Sequence, residues 1–355
     1  MSIGLIWTKV WPFLVAILLF CFIILVHEGA HFLAAKLSGV KVNEFSIGMG
    51  PKIVQFGKKE TRYSLRLFPI GGYCAMEGED EASEEPRAFT NAPIRKRILI
   101  VAAGAVMNIF CGFLMITVLL SCQNLIGTKT IAGFQENAVS NAFLEAGDEI
   151  ISINKMRCIS DYDIQIGLMR DDDGLVDFVI KRDGKKMALN AVKFETETSD
   201  EAYGKNKLII RYDFLILGQK PTFLRSIAAG AKQTVSFARL VFIGLYDVFT
   251  GHVGFSQLSG PIGTVKVVAQ ATGLGLENLI FIIAFISINI GVFNLLPIPA
   301  LDGGRLFILI LQGISRNKIK IKHEALINTI GLVLLLILIA VVSANDIFNI
   351  IKGIK

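Results

Sequence analysis

The sequence predicts an α-helical membrane protein of about four transmembrane helices, with a strand-forming loop after the first helix and one inserted β-rich domain. Three observations lead there. Hydrophobic residues make up 53% of the 355 and charged residues only 19%, with a mean hydropathy of +0.58, a balance typical of chains that sit largely in lipid. Four segments are apolar over lengths that cross a hydrocarbon core of about 30 Å at about 1.5 Å per helical residue. Between the second and third of them, residues 127–220 lack such runs and carry short β-rich stretches instead.

In chain order, the first span covers about 11–37 and is read as a retained helix. Its apolar run is too long for the core of a signal peptide and leads into HEGAH, not a small-residue cleavage site. In the loop that follows, Tyr63, Leu65 and Leu67 alternate with Arg62, Ser64 and Arg66, a strand period closed by the turn signal Gly71-Gly72. The second span, 98–120, has no charged residue. EIISIN and DFVIKRDGKK in the next stretch read as strands, with Asp183-Gly184 as a hairpin turn. Residues 222–249 look helical but contain Arg225, Lys232 and Arg239, which suits an amphipathic helix on the membrane surface better than a fifth span. The third span is expected over 278–301, ending in PIPALDGG, and the fourth over 325–343.

Charge and cysteine usage exclude other classes. A net charge of +6 is explained by Lys and Arg kept on cytoplasmic loops, such as Arg95-Lys96-Arg97 and the stretch from Arg316 to Lys322. Nucleic-acid binding is not expected. The acidic run GEDEASEEP reads as a solvated loop. Cys21, Cys74, Cys111, Cys122 and Cys158 are scattered without a CxxC pair, which argues against a disulfide framework or a zinc ribbon.

One motif carries chemistry. His27-Glu28-Gly29-Ala30-His31 is HExxH, and on a helix positions i and i+4 share a face, so both imidazoles can reach one metal ion. Glu28 is then placed to take a proton from water activated there. Ionisable groups inside a span are costly without such a role. A catalytic zinc needs a third protein ligand. His252 and His323 fall in expected loops. Asp302 is the better candidate, because Pro297 and Pro299 free backbone just before it, and irregular backbone at membrane depth is tolerated only around a buried or water-lined site. With four spans, HExxH and Asp302 both fall in the inner half of the membrane. A fifth span at 222–249 would separate them.

HEGAH, NLLPIPALDG, LSGPIG and FPIGGY together resemble the site-2 protease family of intramembrane zinc metalloproteases, in its bacterial RseP/RasP-like branch. The resemblance covers nearly the whole chain. It implies Zn2+ held by His27, His31 and Asp302, with Glu28 as the catalytic general base. It implies substrate-backbone contacts at Asn294 and along a membrane-reentrant β-hairpin containing Tyr63, Leu65, Leu67, Gly71, Gly72 and Tyr73. Gly104, Asn108 and Gly112 fit the family's small-residue and Asn pattern in the second span, and fit close helix packing equally well. Residues 138–160 resemble part of a PDZ module, so 127–220 is expected to be a single extracytoplasmic PDZ-like domain, between an N-terminal catalytic membrane half at 1–126 and a C-terminal membrane half at 221–355.

The implied activity is intramembrane endopeptidase action on single-span membrane proteins, such as anti-sigma factors or signal-peptide remnants, after an upstream site-1 protease has cut first. The implied setting is a bacterial inner membrane, with both termini outside and the site near the cytoplasmic face. Two other functions fit parts of the pattern: an inactive PDZ membrane scaffold, and a metal transporter.

Overall fold

Four helices are long and apolar enough to cross a membrane by length and composition: Val10–Leu37, Ile94–Cys122, Leu276–Phe293 and Leu326–Ile351. They belong to a computed structural model that describes residues 3–57, 60–79, 81, 83–198, 208–251, 260–315 and 321–351. His252, the first two residues of LSGPIG and residues 316–320 of the basic loop lie outside the described residues, as does the His323 side chain. The chain divides into two compact units, Met1–Gly112 with Ser259–Asp346, and Phe113–Leu258 with Ile347–Lys355.

The first unit begins with α1 (Ile3–Leu37), which leads into two long bent strands, β1 (Val42–Phe56) and β2 (Arg62–Met76). Their register doubles back. Ile47 is opposed both by Gly72 and by Leu65, and Phe56 by Tyr63. A buried polar network joins the legs. The Glu44 carboxylate accepts from Ser64 Oγ at 2.6 Å and from Arg66 Nη2 at 2.9 Å, while Arg66 also donates to Tyr73 Oη, to Ser46 Oγ and to the Gly50 carbonyl. Below the hairpin, Ala34, Ala35, Val40, Val42, Cys74, Met76, Phe89, Ile100, Val101 and Leu309 form one apolar cluster. That cluster sets α1, β2, α2 (Ile94–Cys122) and α7 (Asp302–Ser315) around a common centre.

Further along the chain come α5 (Pro261–Thr272), α6 (Leu276–Phe293) and α8 (Ile321–Ile351), and a buried carboxylate ties the first of these to the last. The backbone N–H groups of Gly260 and Gly263, at the start of α5, donate to the buried Asp346 carboxylate of α8 at 3.0 and 2.9 Å. An anion at a helix start is electrostatically favoured there. The third span is shorter than expected. Helix α6 stops at Phe293 instead of running to residue 301, because Pro297 and Pro299 lack an N–H and bias the residues before them away from the helical region. Residues 294–301 form tight turns, with Ile298 N donating to Leu296 O at 2.7 Å, and a new helix, α7, starts at Asp302 itself.

The second unit holds β3 (Ile126–Phe134), β4 (Glu149–Ile153), β5 (Met156–Arg157), α3 (Asp161–Met169), β6 (Leu175–Arg182), β7 (Lys185–Lys193), β8 (Thr196–Thr198), β9 (Leu208–Ile210), β10 (Phe214–Gln219) and α4 (Phe223–Thr250). The main sheet runs β10-β3-β4-β6-β7, with β5 paired to β4. In β6 the side chains of Val176, Phe178 and Ile180 are buried in alternation, as a strand with one face on a core requires. Asp183 and Gly184 link β6 to β7 with φ of 48° and 80°, the pair of left-handed residues that matches hairpin twist.

Helix α4 belongs to this unit, outside the 127–220 range expected for the β domain. Ser226, Gly230, Gln233, Thr234, Phe237 and Val241 recur at helical spacing and are buried. Asp163 of α3, fully buried, accepts from Ser236 Oγ at 2.8 Å and from Arg239 Nη2 at 2.6 Å. Arg170 grips the buried Asp247 with both terminal guanidinium nitrogens. The charges that interrupt α4 in the sequence are thus spent partly on the β domain, while Phe223, Leu224, Phe242, Tyr246 and Phe249 face outward.

Two outcomes follow from these networks. Removing the Arg239 guanidinium leaves a buried carboxylate short of its cation, at a cost of about 3–5 kcal/mol. Arg239→Ala should therefore raise amide exchange along α3 and α4 without changing it in the hairpin. Glu44 gives the second. Burial opposes its ionisation, but bonds from Ser64, Arg66 and Tyr73 prevail and hold its carboxyl down at about 2. A lowered folded-state value stabilises the hairpin above about pH 4.5, the ordinary glutamate value, and the contribution fades as pH falls towards 2. Hairpin amides in Glu44→Gln should exchange faster than wild type at pH 7, with the difference closing on acidification through that window.

Candidate metal centre

The last turns of α1 carry His27 and His31 on one face, as the four-residue spacing requires, and both are buried. Their Nε2 atoms lie 3.2 Å apart. Asp302, 271 positions on from His31, brings Oδ2 to 3.0 Å from His27 Nε2 and 3.2 Å from His31 Nε2. Three donor atoms therefore surround one point. Asp302 reaches it because the turns after α6 fold back onto α7. A Cβ on Gly303 would lie 2.0 Å from the Leu296 carbonyl oxygen, so only glycine fits. Ala300 adopts φ of 71° in the same loop, a conformation that costs a residue with a Cβ about 1–2 kcal/mol. Such local strain is typical of a backbone shaped for a site.

The residues around the donors suit a metal. His31 Nδ1 donates to the Ile100 carbonyl of α2 at 2.8 Å, which leaves the Nε2 lone pair facing the common point. A Cβ on Gly104, one turn further along α2, would sit 2.4 Å from His31 Nε2 and 2.8 Å from His27 Nε2. The space beside the imidazole nitrogens exists because that position has no side chain. Asn108, another turn on and fully buried, lies 3.4 Å through Nδ2 from His27 Nδ1, while its Oδ1 has no partner among the described residues. With that amide orientation His27 keeps its proton on Nε2, directed at Asp302. Metal ligation needs the reverse tautomer, and turning the Asn108 amide over gives the His27 Nδ1–H an oxygen to donate to. Two imidazoles and one carboxylate form a donor set suited to zinc with an open position.

Glu28 projects from α1 into a cavity of about 360 Å³ lined also by His31, Tyr73, Cys74, Ala75, Met76, Glu79, Val101, Asp302 and Arg305. Of the other expected substrate contacts, Tyr73 is in this wall. A Cβ on Gly72 would come within 3.5 Å of Glu28 Cγ, so the strand passes close by the carboxylate. Tyr63 stacks on Phe56 at 5.5 Å and approaches Phe32 of α1. Leu65 and Leu67 are exposed, and Gly71 makes the bend with φ of 86°. None of these four lines the cavity, and neither does Asn294, which is half-buried at the C-terminal end of α6. Residues 74–76, Glu79 and Arg305 line it without having been singled out. The alternation in β2 pointed to its first leg, whereas the cavity is walled by its last.

Substitutions behind the donors should act on metal retention. Gly104→Ala fills the space beside both Nε2 atoms and should purify with helical content intact but without bound divalent metal. Asn108→Ala removes only the support of His27 and should weaken affinity by about 10–100-fold. Metal analysis after dialysis against graded chelator checks both, and full metal in Gly104→Ala would contradict the geometry.

Comparison with known proteins places the chain. The pattern of peptidase family M50 matches residues 15–338. A Clostridium acetobutylicum protein, provisionally named a zinc metalloprotease, is 36% identical over 339 residues, covering 94% of this chain and 96% of its own. A Fusobacterium nucleatum protein with the same provisional name is 33% identical, covering 95% and 98%. The regulator of sigma-W protease RasP of Bacillus subtilis is 28% identical over 414 aligned positions, covering 93% and 97%. With a family match that spans the histidine pair, the partly buried Asp302 and nearly all of the helices, the chain belongs to peptidase family M50, the site-2 type of zinc metalloprotease.

Proposed function

We propose that this integral membrane zinc metalloprotease hydrolyses a peptide bond within or beside the transmembrane segment of a single-span protein, with His27, His31 and Asp302 as zinc ligands and Glu28 as general base. The observation that carries the reading is the convergence of three ligand atoms within 3.2 Å beside a cavity that Glu28 enters. Zinc, when bound, supplies a Lewis acid that acidifies water and polarises a carbonyl. Glu28 accepts the proton of the attacking water and returns it to the leaving amine, so the peptide C–N bond breaks with no net change in protonation of the enzyme.

A helical substrate keeps its carbonyls bonded to its own N–H groups, so it must unwind before it can be cut. Strand addition to β2 supports that step. Residues 72–76 pair on one side with β1, and among the described residues no strand pairs with their other side. Backbone bonds to that edge offset the bonds lost on unwinding. In this reading the β1–β2 hairpin is the reentrant element. Asn294 lies outside the cavity wall, and its contact with substrate backbone would be made beyond it.

The remaining assignments rest on charge bias and on the relatives. Basic residues between the first two spans favour a cytoplasmic side for that loop, which puts both termini and the β domain outside a bacterial inner membrane. The β domain acts as a PDZ-like module. The name of the Bacillus subtilis relative, a regulator of sigma-W protease, points to anti-sigma factors as the substrate class, with remnant signal peptides as a second class and a site-1 protease cutting first.

Glu28→Gln tests the mechanism. The variant should keep stoichiometric zinc and lose cleavage of single-span substrates by about 10²–10⁴-fold. Membranes containing it should accumulate trimmed single-span fragments that wild type removes. Unchanged cleavage would refute Glu28 as the base.

A further inference from the structure

The wall of the cavity contains an ion pair with no part in the proposed hydrolysis. Arg305 lies one helical turn beyond Asp302 on α7. Its guanidinium donates to Glu79 Oε1 and, at 2.7 Å, to the Glu79 carbonyl oxygen. The other carboxylate oxygen, Glu79 Oε2, accepts from the backbone N–H of Met76 at 3.2 Å. Met76 is the last residue of β2. Both charged side chains are largely buried, at 17% and 19% exposure, and both line the same cavity as Glu28 and Asp302. The arginine is further fixed by Phe89, whose buried ring lies 5.4 Å from its guanidinium and 5.0 Å from that of Arg97 on α2.

We propose that Glu79 and Arg305 form an end-stop that sets the register of a substrate strand on β2 relative to the metal ligands. Along the edge formed by residues 72–76, an incoming strand extends by bonding successive N–H and C=O groups. At Met76 the N–H is already taken by a side-chain carboxylate, so the ladder ends there. The group that holds this carboxylate stands on the same helix, one turn away from the ligand Asp302. A single strut therefore fixes the distance between the end of the ladder and the metal, and with it which substrate carbonyl lies at the site. Bulk hydrophobic fit cannot supply this information in an apolar segment, where neighbouring residues resemble one another. Glu79 and Arg305 act in this as positioning residues, through the strand edge.

The inference rests on the proteolytic reading and on strand addition to β2. It is tested with full-length enzyme in lipid vesicles and a synthetic single-span peptide of about 20 apolar residues flanked by lysines. The products are mapped by mass spectrometry and bound zinc is measured in parallel. Wild type should give one dominant scissile bond. Glu79→Ala and Arg305→Ala should keep their zinc and still cleave, but spread the cuts in steps of two residues, because a strand slipped by one would turn its side chains to the wrong face. Arg305→Lys, which keeps the charge beside Glu79, should restore most cutting to the original bond. Unchanged cleavage position in both alanine variants would overturn the end-stop. Loss of zinc together with activity would overturn it too, by showing the pair to be a support of the metal site. If wild type cleaves nothing while loaded with zinc, the proteolytic reading itself fails and takes the end-stop with it.

Discussion

Two imidazoles and a carboxylate whose donor atoms crowd one point, inside a chain built for lipid, impose most of what surrounds them. Ionisable groups lose their hydration there, and the loss is tolerable only if they serve one another or a cation. They also need room. Helix α2 supplies it by omission, since Gly104 presents no atom where a side chain would collide with both rings. The same helix then supplies polarity at measured places, the Ile100 carbonyl behind His31 and the Asn108 amide behind His27. One face of one helix thus carries the gap and both supports.

The carboxylate arrives by a different route. A continuous third span would have carried Asp302 along its axis, whereas the chain breaks after Phe293, turns over its two prolines and restarts as α7. The restart puts Asp302 in the first helical turn and sends Arg305 back towards β2. The break therefore does two things at once: it delivers a carboxylate beside the two imidazoles, and it couples that carboxylate's helix to the end of β2.

Much of this could be read from the sequence. HExxH has a spacing that only a helix makes useful, so the shared face of His27 and His31 follows from geometry alone. The prolines before Asp302 announced irregular backbone, although the apolar run through Leu295 and Leu296 masked how far ahead of them the helix stops. The existence of α7 was hidden by Gly303-Gly304, which discourage a helix locally and are needed for close contact with residues 295–298. Glu79 was lost in an acidic run that reads as solvent-facing, and nothing in its neighbours signals that an arginine 226 positions away will claim it. Tertiary pairing of this kind leaves no periodic trace. The same holds for α4, whose charges looked like interruptions of an apolar helix and turned out to be half of a buried contact with α3.

That contact changes what counts as a portable piece of this protein. Each side supplies one carboxylate and one arginine, Asp163 and Arg170 from α3 and the residue after it, Arg239 and Asp247 from α4, and separating them would leave both carboxylates without their arginines. Anyone exchanging the β domain between relatives, or expressing it alone, should cut after Thr250 and not at the end of the last strand. The exchangeable cassette is a sheet together with α4, and hybrids joined at about residue 220 would inherit two mismatched ion pairs along with the junction.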